Sequence, residues 1–134
     1  MEPDNRTIIR ARDIMHKEIV SIDGMATARE AVAKMRSENV PSLLVNKRHK
    51  DDAWGILVIQ DLIAGVIIAE RSPAEVNVYE IMTKPIITVP ADMDIRYVAR
   101  LIYRAGIRRA PVEEGGELVG MISLSSLVLD NELF

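Results

Sequence analysis

Hydrophobic residues recur with helical spacing in two segments of the chain. The apolar positions of each segment follow the i, i+3, i+4, i+7 pattern of one face of an amphipathic helix. In the first segment these positions are Ala28, Ala31, Val32 and Met35. In the second segment they are Ile95, Val98, Ala99 and Ile102. The pattern therefore predicts two helices that each pack one face against a core.

Polar residues at the ends of these segments predict where the helices begin and end. Thr27 precedes the first helix and Glu30 follows three residues later, the spacing of a capping box. Asp92 or Asp94 can cap the second helix, and Gly106 follows its last apolar position. Both apolar segments are thus preceded by residues that typically begin a helix.

Each predicted helix is followed by a pair of strands joined by a polar turn, and then by a final helix. The first pair covers Ser42–Asn46 and Ala53–Ile59, around the charged turn 47–52. The second pair covers Arg109–Glu113 and Leu118–Ile122, around a turn with two glycines. The final helices are predicted to begin at Asp61 and Ser126.

A repeat explains why the two halves share this order. Asp13-Ile14-Met15-His16-Lys17 is matched by Glu80-Ile81-Met82-Thr83-Lys84, and the offset from Met15 to Met82 is 67 residues. A β-branched run follows in both copies. The predicted fold class is α/β (α+β), with two β-α-β-β-α halves. Because one half could hardly bury its sheet alone, we expect the halves to pack as a pseudo-twofold pair.

Composition and charge disfavour several classes of function. The 134-residue chain has a formal net charge of −3, which disfavours a general nucleic-acid or anionic-membrane binder. It has no cysteine, and neither histidine has metal-ligand spacing, so no metal or other cofactor is expected. The charged N-terminus does not resemble a signal peptide, and the apolar runs are too short to span a bilayer. We therefore expect a cytoplasmic protein without membrane association.

The repeated segments resemble a tandem pair of cystathionine-β-synthase (CBS) motifs, also called a Bateman module. The resemblance rests on the two Ile-Met segments with their β-branched runs, on Gly106–Val112, and on the glycine segments Gly55–Leu62 and Gly120–Leu127. It extends from about residue 10 to residue 131. The implied organisation is a first motif at 10–71, a linker at 72–77 and a second motif at 78–131.

This resemblance implies a regulatory module and not an enzyme. Such modules commonly bind AMP, ADP, ATP or S-adenosylmethionine in a cleft between the two motifs, and report energy state to a partner. The resemblance also implies a homodimer and a protein target that the sequence does not identify. No nucleophile–base pair or phosphate-binding glycine loop in the sequence supports catalysis. The alternative is a ligand-free module for protein interaction or oligomerisation.

The family's ligand-binding segment reads Gly-x-x-Ser/Thr-x-x-Asp, and each copy here keeps only part of it. The first copy keeps Asp61 but has Val58 at the hydroxyl position, and the second keeps Ser123 but has Ser126 at the acid position. Asp61 could be a helix cap, a ribose ligand or both.

The nucleotide-binding residues that the resemblance implies include turn lysines, apolar residues beside the base, and the arginine pair. Their alternative roles are solvated turn residues, core residues and surface ion pairs. The candidate residues are Lys17, Ile19, Val20, Asp61, Lys84, Ile86, Ile87, Arg108, Arg109, Pro111, Ser123 and Ser126.

Overall fold

The computed structural model describes residues 8–134 and contains two compact units. The central unit is Val20–Ile86. The terminal unit combines the described residues up to Ile19 with Ile87–Phe134. Each unit therefore contains segments of both repeats. The predicted motif bounds of 10–71 and 78–131 stay a prediction, because the units do not test them.

The helices and strands of the described residues follow the predicted β-α-β-β-α order in both halves, with a short helix that was not predicted before each half. They are α1 (Ala11–Ile14), β1 (Ser21–Ile22), α2 (Ala28–Glu38), β2 (Ser42–Val45), β3 (Gly55–Val58), α3 (Ile59–Leu62), a π-helical segment (Ile63–Ile68), α4 (Val78–Ile81), β4 (Val89–Pro90), α5 (Ile95–Ala105), β5 (Arg109–Glu114), β6 (Glu117–Ser123) and α6 (Leu124–Leu129).

Each unit contains one three-stranded mixed sheet. In the central unit β1 pairs in parallel with β2, and β2 pairs antiparallel with β3. In the terminal unit β4, β5 and β6 repeat this arrangement. Helices α2 and α5 are the crossovers that connect the parallel strands. The mixed α/β fold class predicted from the sequence is confirmed.

The predicted apolar helix faces are buried in the two cores. In α2 the buried residues are Ala28, Ala31 and Met35. In α5 they are Ile95, Val98 and Ile102. The central core also includes Leu43, Val45, Leu57 and Val76, and the terminal core Val89, Val112, Ile122 and Leu127.

The predicted caps of α2 and α5 are also confirmed. The Thr27 hydroxyl accepts the Glu30 N–H at 3.1 Å, and the Glu30 carboxylate accepts the Thr27 N–H at 2.9 Å. Asp94, and not Asp92, caps α5 by accepting the Arg96 N–H. Gly106 ends α5 with a φ of 69°, a left-handed conformation that glycine adopts without a Cβ clash.

The final helices begin two residues earlier than the sequence predicts. Val58 and Ser123 occupy the N-cap positions, so Asp61 and Ser126 are the third residues of α3 and α6. The side chain at this position can reach back to the N-cap N–H, as in a capping box. The predicted helix starts at Asp61 and Ser126 were therefore wrong by two residues, although both side chains accept the N-cap N–H.

Candidate functional site

The segment that begins each repeat lies against the last strand of the other repeat. We call residues 11–16 and 78–83 the entry turns. Within the central unit, Thr83 exchanges two backbone hydrogen bonds of 2.9 Å with Ile56 of β3. Within the terminal unit, His16 exchanges two of 2.8 Å with Met121 of β6. Each entry turn therefore lies directly beside a glycine-containing strand of the predicted ligand-binding segment.

The two strand glycines allow this close approach. A Cβ on Gly120 would lie 2.5 Å from Met15 Sδ and 2.9 Å from the His16 carbonyl oxygen. A Cβ on Gly55 would lie 2.8 Å from Met82 Sδ, but 3.3 Å from the nearest backbone oxygen. The repeated glycine therefore has a structural reason that needs no ligand, and the constraint is tighter at Gly120.

Asp61 lies at the start of α3 and faces the entry turn of the central unit. Its Oδ2 accepts the Val58 N–H at 2.9 Å, which fixes the orientation of the carboxylate. Its Oδ1 accepts the Thr83 hydroxyl at 3.4 Å, a long and weak hydrogen bond. One oxygen is thus held by the helix, and the other keeps most of its acceptor capacity.

Burial raises the pKa of Asp61 above its ordinary value, against the opposing effects of the Val58 N–H and the Thr83 hydroxyl. In the described part of the chain Asp61 has no ion-pair partner. A partly buried carboxylate without a counter-ion gains from any further donor that reaches it. Asp61 can therefore accept hydrogen bonds from a ligand hydroxyl.

Lys84 follows Thr83 and pairs with an acid of the predicted charged turn. Its Nζ lies 2.8 Å from Asp52 Oδ2, and the Asp52 side chain is only 8% exposed. The same oxygen accepts the backbone N–H and the Nε–H of Arg48 at 2.9 and 3.1 Å. The hydrogen bond from Lys84, followed by those from Arg48, holds the pKa of Asp52 well below its usual range.

The corresponding place in the terminal unit contains hydroxyls and no acid. Ser123 Oγ lies 2.9 Å from Ser126 Oγ and 3.0 Å from Ser125 Oγ. Ser126 is fully buried, and it shares reciprocal hydrogen bonds of 3.3 Å with the Ser123 backbone and side chain. Its side chain thus stabilises the first turn of α6.

Arg109 lies opposite Ser123 in the β5–β6 pair and is half-buried. Burial, and secondarily the charge of Arg108, lowers the pKa of Arg109. Arg108 and Arg109 bring two positive charges to the start of β5, whereas the central unit has the Asp61 carboxylate after β3.

The remaining predicted residues differ in exposure and in unit. In the described structure the side chain of Lys17 is exposed and forms no hydrogen bond or ion pair. Ile19 and Ile87 belong to the terminal unit, and Val20 and Ile86 to the central unit. The partly buried residues are Ile19, Val20 and Ile86, the exposed ones Ile87 and Arg108, and the buried one Pro111.

Two residues at this place are not among those predicted from the sequence. Thr83 has a hydroxyl next to Asp61, and its position after the repeated Ile-Met pair is a signal that could have selected it. Asp52 gave no such signal, because a carboxylate in a charged turn is usually solvated. Only the fold shows that Asp52 pairs with Lys84, 32 residues away.

The comparisons with known proteins agree with the repeat. A family model described as "CBS domain" matches residues 11–67 and 78–129. The family model matches twice, so the resemblance to a tandem pair of CBS motifs that was inferred from the sequence is confirmed.

Curated relatives include an uncharacterised protein of Methanopyrus kandleri that is 30% identical over 117 residues, covering 87% of this chain and 59% of the relative. A mitochondrial CBS domain-containing protein of Arabidopsis thaliana is 29% identical, and the matched segment covers 87% of this chain and 61% of the relative. The chain thus spans about three fifths of each of these relatives.

Solved structures include a hexameric CBS-CP12 protein from bloom-forming cyanobacteria. It is 37% identical, has a TM-score of 0.87, and is matched over 92% of this chain and 71% of its own. An uncharacterised protein from Pyrococcus horikoshii is 25% identical, has a TM-score of 0.83, and is matched over 93% of both chains. Both have the fold described above.

Residues 8–134 contain neither a candidate membrane span nor a candidate metal cluster. No helix in that range is long and apolar enough to cross a bilayer. No group of three or more His, Cys, Asp and Glu side chains in it could hold a metal ion. A cytoplasmic location stays a prediction.

Proposed function

Since this chain belongs to the CBS domain family, we propose that it binds an adenosine nucleotide of the AMP, ADP or ATP class and transmits its ligand state to a protein partner. Members of the family are generally regulatory, ligand-binding modules and not catalysts. Our proposal is that this chain likewise has no catalytic activity. Energy sensing would be the physiological role.

The observation that carries the proposal is that only one oxygen of the Asp61 carboxylate has a short hydrogen bond within the chain. Val58 fixes one oxygen at 2.9 Å, while the weak 3.4 Å contact with Thr83 leaves the other able to accept ribose hydroxyls. Charge-assisted hydrogen bonds of this kind are roughly twice as strong as neutral ones. The Thr83 hydroxyl can itself donate to a ligand when it leaves Asp61.

Other residues of the central unit can supply further contacts that a nucleotide needs. Val20 and Ile86 are partly buried apolar residues of the same unit, suited to one face of an adenine ring. Lys84 can neutralise a phosphate once it leaves Asp52. A ligand bound in the terminal unit would instead meet Arg108 and Arg109, which favour a phosphate-bearing compound over S-adenosylmethionine, whose sulfonium is cationic.

Transmission to a partner would begin at the entry turn. Thr83 and Lys84 follow Met82, the C-cap residue of α4, and their contacts with Asp61 and Asp52 would change when a ligand binds. A ligand shifts a conformational equilibrium only by its difference in affinity for the two states. A ligand that takes the place of the Thr83–Asp61 and Lys84–Asp52 contacts would have different affinities for the states with and without them.

We also propose that the chain forms a homodimer. The helical segment after β3 exposes Ile59, Ile63, Ile67 and Ile68, which are 48%, 40%, 69% and 72% exposed. No charged residue occurs between Leu62 and Ala69. A contiguous apolar helix face of this kind marks an interaction site.

A ligand-free interaction module is the second candidate, and Val58 favours it. The hydroxyl of the family's ligand-binding segment is missing at this position, and in the other copy Ser126 replaces the acid. Such a module would need only the apolar helix face.

Thermal or chemical unfolding with AMP, ADP, ATP, adenosine and S-adenosylmethionine decides between the two candidates. A ligand at a hundredfold excess over its dissociation constant adds about 2.7 kcal/mol to the free energy of unfolding. We expect stabilisation by AMP, ADP or ATP that exceeds stabilisation by S-adenosylmethionine. If millimolar concentrations of every compound leave the unfolding curve unchanged, the nucleotide proposal is wrong.

A further inference from the structure

Helix α5 presents a surface composed entirely of tyrosine and arginine. We define the Tyr/Arg face as Tyr97, Arg100, Tyr103 and Arg104. At 3.6 residues per turn these four positions occupy about one third of the helix circumference. Tyr97 is 53% exposed and Tyr103 83%, and both arginines are exposed. The opposite side of the helix is buried in the terminal core.

The charge of this region is opposite to that of the whole chain. Residues 95–112 include five arginines and no carboxylate, whereas the formal net charge of the chain is −3. In the described part of the chain neither Arg100 nor Arg104 forms an ion pair. The Tyr/Arg face is therefore a local cationic surface on an acidic protein.

The stability of α5 explains only part of this surface: Arg104 lies in the last turn, where a cation is favourable, but the two tyrosines and Arg100 have no such role. Arg100 and Arg104 are four positions apart, and like charges at that spacing destabilise a helix. Exposed tyrosine rings add little to folding because their surface stays in water. The Arg100 guanidinium lies over the Tyr97 ring at 5.3 Å, which orders both side chains. An ordered pair loses less conformational entropy when it binds a partner.

Tyrosine and arginine are also the residues that dominate binding energy at protein interfaces. The charge of the face defines the chemistry of its partner. A guanidinium group binds a carboxylate through two parallel hydrogen bonds, and a tyrosine ring accommodates an apolar side chain between such carboxylates. An eleven-residue helix such as α5 is roughly 16 Å long, the span of about five residues of extended chain. We propose that the Tyr/Arg face docks a short acidic peptide segment of a partner protein.

Two other occupants fit the observations less well. A second copy in a twofold contact through the same face would set arginine against arginine, which is repulsive. A nucleic acid that binds through its phosphates would need a longer cationic track than the two arginines of this face. The acidic segment satisfies the charge and the length of the face together.

Fluorescence anisotropy with a labelled peptide of two Glu-Asp-Leu repeats tests the proposal on the full chain. At low salt we expect the double variant Arg100→Gln/Arg104→Gln to bind about tenfold more weakly than the wild type. Tyr103→Ser should also weaken binding, by several-fold, although it leaves the charge unchanged. The matched control is Arg29→Gln/Arg36→Gln on α2, which removes the same charge from exposed positions.

The control should change the peptide affinity by less than about twofold. An equal loss in both double variants would overturn the proposal, because binding would then follow net charge alone. Displacement of the peptide by a thymidine decamer at a lower concentration than by unlabelled peptide would overturn it in favour of nucleic acid. A dimer that dissociates only in Arg100→Gln/Arg104→Gln would overturn it in favour of a second copy.

Discussion

The Lys84 ammonium lies 2.8 Å from the Asp52 carboxylate, so the loop between β2 and β3 neutralises the lysine that follows the entry turn. In the other repeat the equivalent Lys17 is exposed and has no such partner among the described residues. The two repeats therefore differ in whether their lysine is available to an anion. A phosphate that binds Lys84 competes with Asp52 for its positive charge.

The Asp52–Lys84 pair predicts a dependence of stability on pH. The pKa of Asp52 is depressed in the folded chain, so its contribution is complete above the ordinary pKa of an aspartate, about 4, and declines as the pH falls toward the folded value. Asp52→Asn should therefore be less stable than the wild type at pH 7, and the difference should shrink below pH 4. Urea unfolding followed by the fluorescence of the single tryptophan, Trp54, measures both.

A difference that stays constant between pH 7 and pH 3 would contradict this prediction. Lys47→Met is a suitable control, because it removes a cation from the same loop. The Lys47 ammonium lies over the Trp54 ring and does not pair with Asp52. The effect of this variant on stability should show no acid dependence of this kind.

The ionised form of Asp61 should lower the stability of the folded chain, whereas that of Asp52 raises it. Burial raises the pKa of Asp61, so the folded chain binds a proton more tightly than the unfolded chain, and ionised Asp61 costs stability above the raised pKa. Asp61→Asn keeps an acceptor for the Val58 N–H without the charge, so we expect it to be at least as stable as the wild type at pH 7. Asp61→Ala should be about 1 kcal/mol less stable than Asp61→Asn. Equal unfolding midpoints for the two variants would contradict this reading.

The strand glycines predict a graded series of alanine variants. Gly120→Ala places a methyl group 2.9 Å from a backbone oxygen, and we expect a loss of about 1–3 kcal/mol. Gly55→Ala should cost less, because its closest contact is the flexible end of Met82. Gly24→Ala is the control, since its Cβ would make only ordinary contacts of 3.4 Å or more. Chemical unfolding measures the order, and a Gly55→Ala loss larger than that of Gly120→Ala would show that the entry turns can move.

The exposed isoleucines predict self-association through one helix face. Ile67→Glu should convert a dimer into a monomer, because a carboxylate in a buried apolar interface is costly to desolvate. Met25→Glu is a matched control, because Met25 is also 69% exposed but lies outside this helix. Light scattering after size-exclusion chromatography gives the mass of each variant. Dissociation by both variants, or by neither, would argue against this face.

Local patterns predicted most of the fold. Helix faces such as Ala28–Met35 and the capping box at Thr27 depend on residues only three or four positions apart, so the sequence contains the whole signal. The final helices begin earlier than predicted because an acid favours both the N-cap and the third helical position. The choice at Asp61 depends on where β3 ends, and that depends on its pairing with β2.

The candidate site was less predictable because its contacts join distant parts of the chain. Thr83 meets Asp61 across 22 positions, and Lys84 meets Asp52 across 32. Neither distance follows from helical or strand periodicity. The repeat identified the strand that precedes Asp61 and the strand that ends at Ser123, but it did not show that each entry turn packs on the strand of the other repeat.

The most direct test of the account is the affinity for AMP of the wild type, Asp61→Ala and Glu30→Ala, measured by isothermal titration calorimetry. Glu30→Ala removes the same kind of contact between a third helical residue and an N-cap N–H, but in α2. If Asp61 binds the ribose, Asp61→Ala should weaken AMP binding about tenfold or more, while Glu30→Ala lowers stability and leaves the affinity unchanged. Equal affinities for the wild type and Asp61→Ala would contradict the account and leave Asp61 as a helix-stabilising residue alone.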